Sequence, residues 1–161
     1  MKHTISILCD DTPGVMTRIS ALFSRRGFNI ESLSVGHSEK KAKSRFTIVV
    51  NGDDRVLEQI RKQLQKLIHV IKVWDIKPHE GVEREHALIK LKVPAERQTE
   101  ILQVVTSLHA RIIDSHTDTW ILEVTGEAHA VNNAFNILSA YPIVESIRTG
   151  KIAFERFSKQ S

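Results

Sequence analysis

The segment Asp11-Thr12-Pro13-Gly14-Val15 has the residue types of a small anion-binding site at the start of a helix. Thr12 is predicted to cap that helix, with Pro13 as its first residue. Gly14 then lies in the first turn, where the missing side chain lets an anion approach free backbone N–H groups. Local sequence alone leaves open the alternative of a capped strand-to-helix turn without a ligand.

The rest of the sequence has no pattern typical of catalysis or metal binding. The eight histidines form no H-x-x-x-H or H-E-x-x-H pair, and Cys9 is the single cysteine. Neither a G-x-x-x-x-G-K-[ST] loop nor a G-x-G-x-x-G fingerprint is present. Carboxylates near predicted strand ends, such as Asp10 and Asp114, have no base or nucleophile paired with them in sequence. The sequence therefore predicts no catalytic residues, no metal site and no cofactor of its own.

Composition narrows the class of protein. One cysteine permits no intramolecular disulfide and fits a reducing compartment. Neither a membrane-length apolar run nor a signal-peptide pattern is present, so a cytoplasmic location is expected. Residues 1–78 hold 14 Lys and Arg against 8 Asp and Glu. These charges are scattered and have no interleaved aromatic residues, so neither nucleic acid nor membrane is an expected partner.

The elements around the anion-site segment follow the order β-α-β-β-α-β. A β-prone run at 5–9 leads into apolar residues at helical spacing, and alternating runs at 28–35 and 45–50 predict two further strands. Asp53 or Asp54 can cap a second helix, and a fourth strand is predicted over 70–76. This is the ferredoxin-like unit, with both helices on one face of a four-stranded sheet. The other face must be covered by a second copy or another domain.

The same order of elements repeats after a short Pro- and Gly-containing stretch. Strands are predicted at 87–93, 111–114, 119–124 and 143–147, with helices after Pro94 and Gly126. Trp74 and Trp120 lie in strand patterns and are interpreted as core residues. The predicted fold class is α+β, as two tandem ferredoxin-like β-α-β-β-α-β domains. Their predicted boundaries are 1–77 for the first domain, 78–82 for a linker and 83–161 for the second domain.

Three runs in the first half resemble the ACT domain of the small subunit of acetohydroxyacid synthase, also called acetolactate synthase. They are DTPGV at 11–15, LFSRRGFNIESL at 22–33 and SRFTIVV at 44–50. The RRGFNIESL run is specific to that family, whereas the Pro-Gly pair is general to ACT domains. In the second half VERE at 82–85, IID at 112–114, EVTG at 123–126 and RTG at 148–150 also resemble family positions. The resemblance covers essentially the whole chain.

The resemblance implies a non-catalytic regulatory subunit in branched-chain amino-acid biosynthesis. Such a subunit binds and activates a large catalytic subunit, on which thiamine diphosphate, Mg²⁺ and FAD are expected. It also confers feedback inhibition by valine or another branched-chain amino acid. ACT domains of this family pair as homodimers, with the effector between the helix-entry loop of one protomer and the second strand of its partner. The C-terminal domain is expected to help contact the catalytic subunit.

The resemblance also implies which residues bind the effector. Its carboxylate is expected on the N–H groups around Gly14 and Val15, while Asn29 orients the zwitterion. Val15 and Ile30 are expected to form an apolar wall. Family members commonly carry asparagine at the position of Asp11, and a carboxylate there accepts from an ammonium group but repels a carboxylate. Pocket discrimination by one methylene is worth only about 1–3 kcal/mol, so the sequence does not choose among valine, leucine and isoleucine.

Two other functions remain as alternatives. One is a stand-alone ACT-type amino-acid sensor that regulates a different enzyme or a transcription complex. The other is an RNA-binding sheet of the same topology, which is disfavoured because the central strands lack paired exposed aromatic residues.

Overall fold

The computed structural model describes residues 1–157, and these fold as two compact units. The first unit comprises Met1–Val82 together with 151–157, and the second comprises Glu83–Gly150. The sequence prediction assigned all of 83–161 to the second domain. The last described residues instead group with the first unit; the predicted end at 161 lies outside the described residues.

The first unit is built on one antiparallel sheet with strand order β2-β3-β1-β4. Its elements are β1 (Lys2–Asp10), α1 (Val15–Arg25), β2 (Ile30–His37), β3 (Lys43–Asn51), α2 (Asp54–Leu64) and β4 (Val70–Ile76). Asp53 caps α2, because its side chain accepts from the Val56 N–H at 2.8 Å. The predicted order of elements is confirmed, and β4 has the predicted bounds.

The core of the first unit lies between the sheet and its two helices. Alternate residues of β1 point to this side and pack against α1 residues at helical spacing. The cluster includes Ile5, Ile7, Cys9, Val15, Ile19, Leu22 and Phe23. The intervening β1 residues, among them Ser6, point to the opposite side, which we call the helix-free face. In register with Ser6 are Thr47 on β3 and Trp74 on β4, so both share this face.

The second unit repeats the arrangement with strand order β6-β7-β5-β8. Its elements are β5 (Gly81–Lys92), a 3₁₀ turn (Ala95–Arg97), α3 (Gln98–Ser107), β6 (Arg111–His116), β7 (Thr119–Gly126), α4 (Ala128–Leu138) and β8 (Ile143–Glu155). Trp120 belongs to its core and is 9% exposed, as predicted, whereas Trp74 of the first unit is half-buried on the helix-free face and is not part of the core cluster there. The predicted α+β class with two tandem ferredoxin-like units is therefore confirmed.

The strands β5 and β8 are longer than predicted. β5 begins at Gly81, inside the predicted linker 78–82, and β8 continues to Glu155 rather than ending at 147. The reason is that polar residues and glycine interrupt the apolar pattern: Val82 is the one large apolar side chain at 81–86, and β8 runs Arg-Thr-Gly-Lys at 148–151. None of the helices within 1–157 is long and apolar enough to cross a membrane.

Candidate ligand site at the start of α1

The chain enters α1 through a tight turn, not through a side-chain cap. The helix begins at Val15, and Gly14 precedes it with φ 86° and ψ −7° and no side-chain cap. The Val15 N–H points to the Thr12 carbonyl at 3.4 Å. Gly14 thus has the backbone angles of position i+2 in a type II turn, where a positive φ favours glycine and proline is common one residue earlier. The prediction that Thr12 caps the helix was wrong because this turn takes up residues 12–15.

Backbone donors nevertheless converge at this helix end. Within 1–157, the N–H groups of Gly14, Met16 and Thr17 have no backbone acceptor, whereas that of Val15 is turned toward Thr12. A Cβ placed on Gly14 meets nothing within 4 Å, so the space beside the turn is open. The first turn of α1 carries no acidic residue. The positive end of the helix dipole is therefore accessible to an anion.

Asp11 lies beside this turn and is linked to the end of β2. Its Oδ2 is 3.2 Å from Nδ1 of His37, the last residue of β2. Its N–H donates to the Ala42 carbonyl at 3.0 Å. Sequence reasoning did not identify His37, because its proximity to Asp11 depends on the β2–β3 register.

Asn29 and Ile30 lie at the other end of the same sheet. Ile30 is opposite Val50, whereas Asp10, next to Asp11, is opposite Lys43. The two partner positions are seven residues apart on β3, which corresponds to about 23 Å at roughly 3.3 Å per residue. Within one chain, Asp11, Gly14 and Val15 therefore lie close together, whereas Asn29 and Ile30 lie at the opposite end of the sheet.

The exposure of these residues differs as well. Asn29 is exposed and Ile30 is half-buried against the core. Val15, predicted as part of an apolar wall, is 5% exposed and packs into the core of the first unit. Its side chain therefore has little area left for contact with a ligand.

A polar cluster missed by sequence reasoning lies one residue before Asp11. The Asp10 carboxylate accepts a hydrogen bond from the Lys43 ammonium group, and its Oδ2 is 3.2 Å from Nδ1 of His69. The Lys43 hydrogen bond, followed by that of His69, holds the pKa of Asp10 below its usual value. Lys43 is opposite Asp10 in the register, and only that register identifies the pair.

Cys9 is not in a reactive environment. Its side chain is fully buried, and Sγ donates to the Ser44 carbonyl at 3.6 Å. Burial, with the nearby negative charges of Asp10 and Asp11, raises the pKa of this thiol to about 11. The group is thus protonated at neutral pH and poorly suited to act as a nucleophile.

Within 1–157 no group of three or more His, Cys, Asp or Glu side chains is placed to hold a metal ion.

Known proteins match this chain over both of its units. The family model for the AHAS small subunit-like ACT domain matches residues 5–72, and that for the small subunit of acetolactate synthase matches 84–157. A probable acetolactate synthase small subunit of Archaeoglobus fulgidus is 48% identical over 99% of this chain and 100% of its own length. The chain belongs to the acetolactate synthase small subunit family. The resemblance seen in the sequence is thereby confirmed.

Other members of the acetolactate synthase small subunit family agree in sequence and in fold. The acetolactate synthase small subunit of Mycolicibacterium smegmatis is 44% identical, with 96% of this chain and 91% of that protein covered. The crystal structure of an acetolactate synthase small subunit from Thermotoga maritima superposes with a TM-score of 0.92. It is 42% identical in sequence, with 98% of this chain and 99% of that chain covered. Both units are therefore present in the Thermotoga maritima protein as well.

Proposed function

We propose that this chain is the non-catalytic regulatory subunit of acetolactate synthase. It binds the thiamine-diphosphate-dependent catalytic subunit, raises its activity and confers feedback inhibition by valine or another branched-chain amino acid. The observation that carries the proposal is the match to acetolactate synthase small subunits over almost the full length of the chain. In this proposal the chemistry and its cofactors belong to the catalytic subunit, and this chain contributes ligand binding.

The effector site is proposed to form between two copies of the chain. Its first half is the α1 start, where backbone donors and the helix dipole receive the effector carboxylate. Its second half is Asn29 and Ile30 of the partner subunit. In a two-fold pairing through β2 the two strands run antiparallel, so the beginning of one lies beside the end of the other. That places the partner subunit's Asn29 near His37, which already contacts Asp11.

Asp11 then sets the orientation of the bound amino acid. A carboxylate next to the effector carboxylate is repulsive, whereas next to the ammonium group it is attractive. The proposed pose therefore directs the effector ammonium toward Asp11 and the carboxylate toward Gly14 and Met16. The coupling is reciprocal. If the bound effector shifts the complex away from its active arrangement, then the active arrangement has a lower affinity for the effector, and the two effects are equal in size.

The first test is titration of the whole protein with valine, leucine and isoleucine by calorimetry. Two variants at one position separate charge from shape: Gly14→Asp and Gly14→Asn. Both side chains are nearly isosteric, and both residue types are tolerated at a positive φ. We expect saturable binding by the wild type, binding within about threefold for Gly14→Asn, and at least tenfold weaker binding for Gly14→Asp because like charges repel. Equal affinities of the two variants would contradict the placement of the carboxylate.

Reconstitution with the acetolactate synthase catalytic subunit of the same organism tests the regulatory part. We expect activation by the wild type and by both variants, with inhibition by the effector reduced only in Gly14→Asp. A chain that binds a branched-chain amino acid but does not associate with that catalytic subunit would instead be a stand-alone sensor. A chain that activates the enzyme but binds none of the three amino acids would be an activator without a feedback role.

A further inference from the structure

The first unit contains a cavity of about 750 Å³ on the helix-free face of its sheet. This volume lies in the range of about 300–1,000 Å³ that is typical of sites for small organic ligands. The C-terminal segment 151–157 forms one wall, and the sheet forms the other. The lining residues all belong to the first unit and are Ser6, Arg45, Trp74, Ile76, Val82, Ala153, Phe154, Glu155, Arg156 and Phe157. None of the proposed effector-site residues is among them.

Ser6 places a polar group without a partner in this cavity. It is 1% exposed and lies at the middle of β1, opposite Trp74. Its Oγ is the one buried side-chain nitrogen or oxygen atom in the described part of the chain that has no hydrogen-bond partner. Buried hydroxyls are nearly always hydrogen-bonded, because removing them from water is unfavourable. The hydroxyl of Ser6 is therefore available to donate to a polar atom in the cavity.

Arg45 supplies positive charge to the same cavity. It is opposite Leu8 on β1, one diagonal position from Ser6 on the same face. Its guanidinium carbon lies 4.8 Å from the Trp74 ring centroid and 5.0 Å from that of Phe154. Its ion pair with Glu39 is long, at 3.8 Å, and Glu39 is mostly exposed. A guanidinium group has five N–H donors, so this loose pair leaves donors for a carboxylate.

The remaining walls favour a flat apolar body. Trp74 and Phe154 flank the guanidinium, and Ile76 lies on β4 two residues beyond Trp74. Aromatic side chains stack well on aromatic ligands in offset or edge-to-face geometry. Glu155 and Arg156 contribute one negative and one positive charge to the lining, and Arg156 Nε donates to the Gly81 carbonyl at 3.0 Å. With Arg45 the cavity thus has a net positive charge.

We propose that this cavity is a second ligand site, which binds an aromatic carboxylate. The carboxylate pairs with Arg45, a second oxygen of the ligand accepts from Ser6 Oγ, and the ring packs beside the guanidinium against the edges of Trp74 and Phe154, because the guanidinium itself lies between these two rings. The site is distinct from the α1 start, and this proposal does not depend on the proposed effector.

The test uses 6-hydroxy-2-naphthoate and its neutral analogue 6-hydroxy-2-naphthamide, titrated against the full chain by calorimetry. The variants are Arg45→Met and Ser6→Ala, with Arg61→Met on α2 as a charge-matched control outside the cavity. We expect the carboxylate to bind the wild type at least tenfold more tightly than the amide. Arg45→Met is expected to lose that preference, Ser6→Ala to weaken binding about threefold to tenfold, and Arg61→Met to leave it unchanged.

Ser6→Ala keeps the test informative if Arg45→Met disturbs the segment 151–157, because it removes an unpaired hydroxyl and no packing contact. Equal binding of the carboxylate and the amide, equal losses in Arg45→Met and Arg61→Met, or no binding of either probe would overturn the proposal. Carboxylate binding that persists in saturating valine supports a separate site, whereas competition with valine contradicts it. Failure here leaves the valine titration of the Gly14 variants unaffected.

Discussion

The contacts of the Asp10 carboxylate are expected to make the stability of the first unit depend on pH. Its pKa in the folded protein is lowered by the hydrogen bond from Lys43 and then by that from His69. A lowered folded-state pKa stabilises the protein above the unfolded-state value of about 3.9, and this contribution is lost as pH falls through the folded-state pKa. We expect urea unfolding of the wild type and Asp10→Asn to differ at pH 7 and to converge as pH falls below about 3.9 and through the lower folded-state pKa of Asp10.

The control for this prediction is Lys43→Met, alone and combined with Asp10→Asn. Because Lys43 is the larger cause of the lowered pKa, the pH dependence that Asp10 contributes should be much smaller in Lys43→Met. A wild-type and Asp10→Asn difference that stays constant from pH 7 to pH 2 would show that the side chain acts through packing and not through charge.

At the same scale, sequence reasoning identified residue types better than contacts. It identified Gly14 as the residue without a side chain beside the helix start, but not as the residue at positive φ that precedes the helix. It missed Lys43 and His69 as partners of Asp10, and His37 as a partner of Asp11, because each pair is separated by more than 25 residues. Strand register, which local patterns leave undetermined in polar hairpins, decides these contacts.

At the scale of elements, strong apolar periodicity made most of the fold predictable. The stripe of Val15, Ile19 and Leu22 placed α1, and the mostly apolar run at 70–76 gave the bounds of β4. The extension of β8 was not predictable in the same way. Directly after residue 147 it runs Arg-Thr-Gly-Lys, with Gly150 at φ 75°, and this stretch interrupts the two-residue apolar period.

The ion pair of Glu85 with Arg148 joins β5 to β8. Arg148 donates from Nε and from a terminal nitrogen to the two Glu85 oxygens at 2.8 and 2.7 Å. The Glu85 side chain is 7% exposed, so removing Arg148 leaves a carboxylate buried without its partner. Arg148 itself is partly exposed, which moderates the penalty. We expect Arg148→Met to lower the free energy of unfolding by about 2 kcal/mol, measured by urea denaturation.

The double variant Glu85→Met with Arg148→Met separates the ion pair from its desolvation penalty. Replacing both partners by apolar residues of similar size is often neutral, because no buried charge remains. Recovery of most of the lost stability is the expected result. A double variant as unstable as Arg148→Met alone would mean that the pair holds β5 and β8 together by more than charge compensation.

For the whole molecule, the separated halves of the proposed effector site require a second copy. β2 and β4 are the two edges of the first sheet, and a free edge presents unpaired backbone groups to another strand. Pairing through β2 brings Asn29 of the partner subunit toward Gly14, whereas pairing through β4 leaves the two halves apart. The proposal therefore predicts a two-fold homodimer through β2 with two equivalent sites.

Sedimentation velocity of the full chain and of two matched edge variants tests this prediction. Val35 on β2 and Ile71 on β4 are exposed to similar extents, at 46% and 50%. We expect a wild-type species of twice the 18.3 kDa chain mass. Val35→Asp is expected to shift it toward monomer by placing two like charges near the two-fold axis, with a parallel loss of valine affinity. Ile71→Asp is expected to change neither the mass nor the affinity. Dissociation by Ile71→Asp alone, or a monomeric wild type that still binds valine, would contradict a site completed across β2.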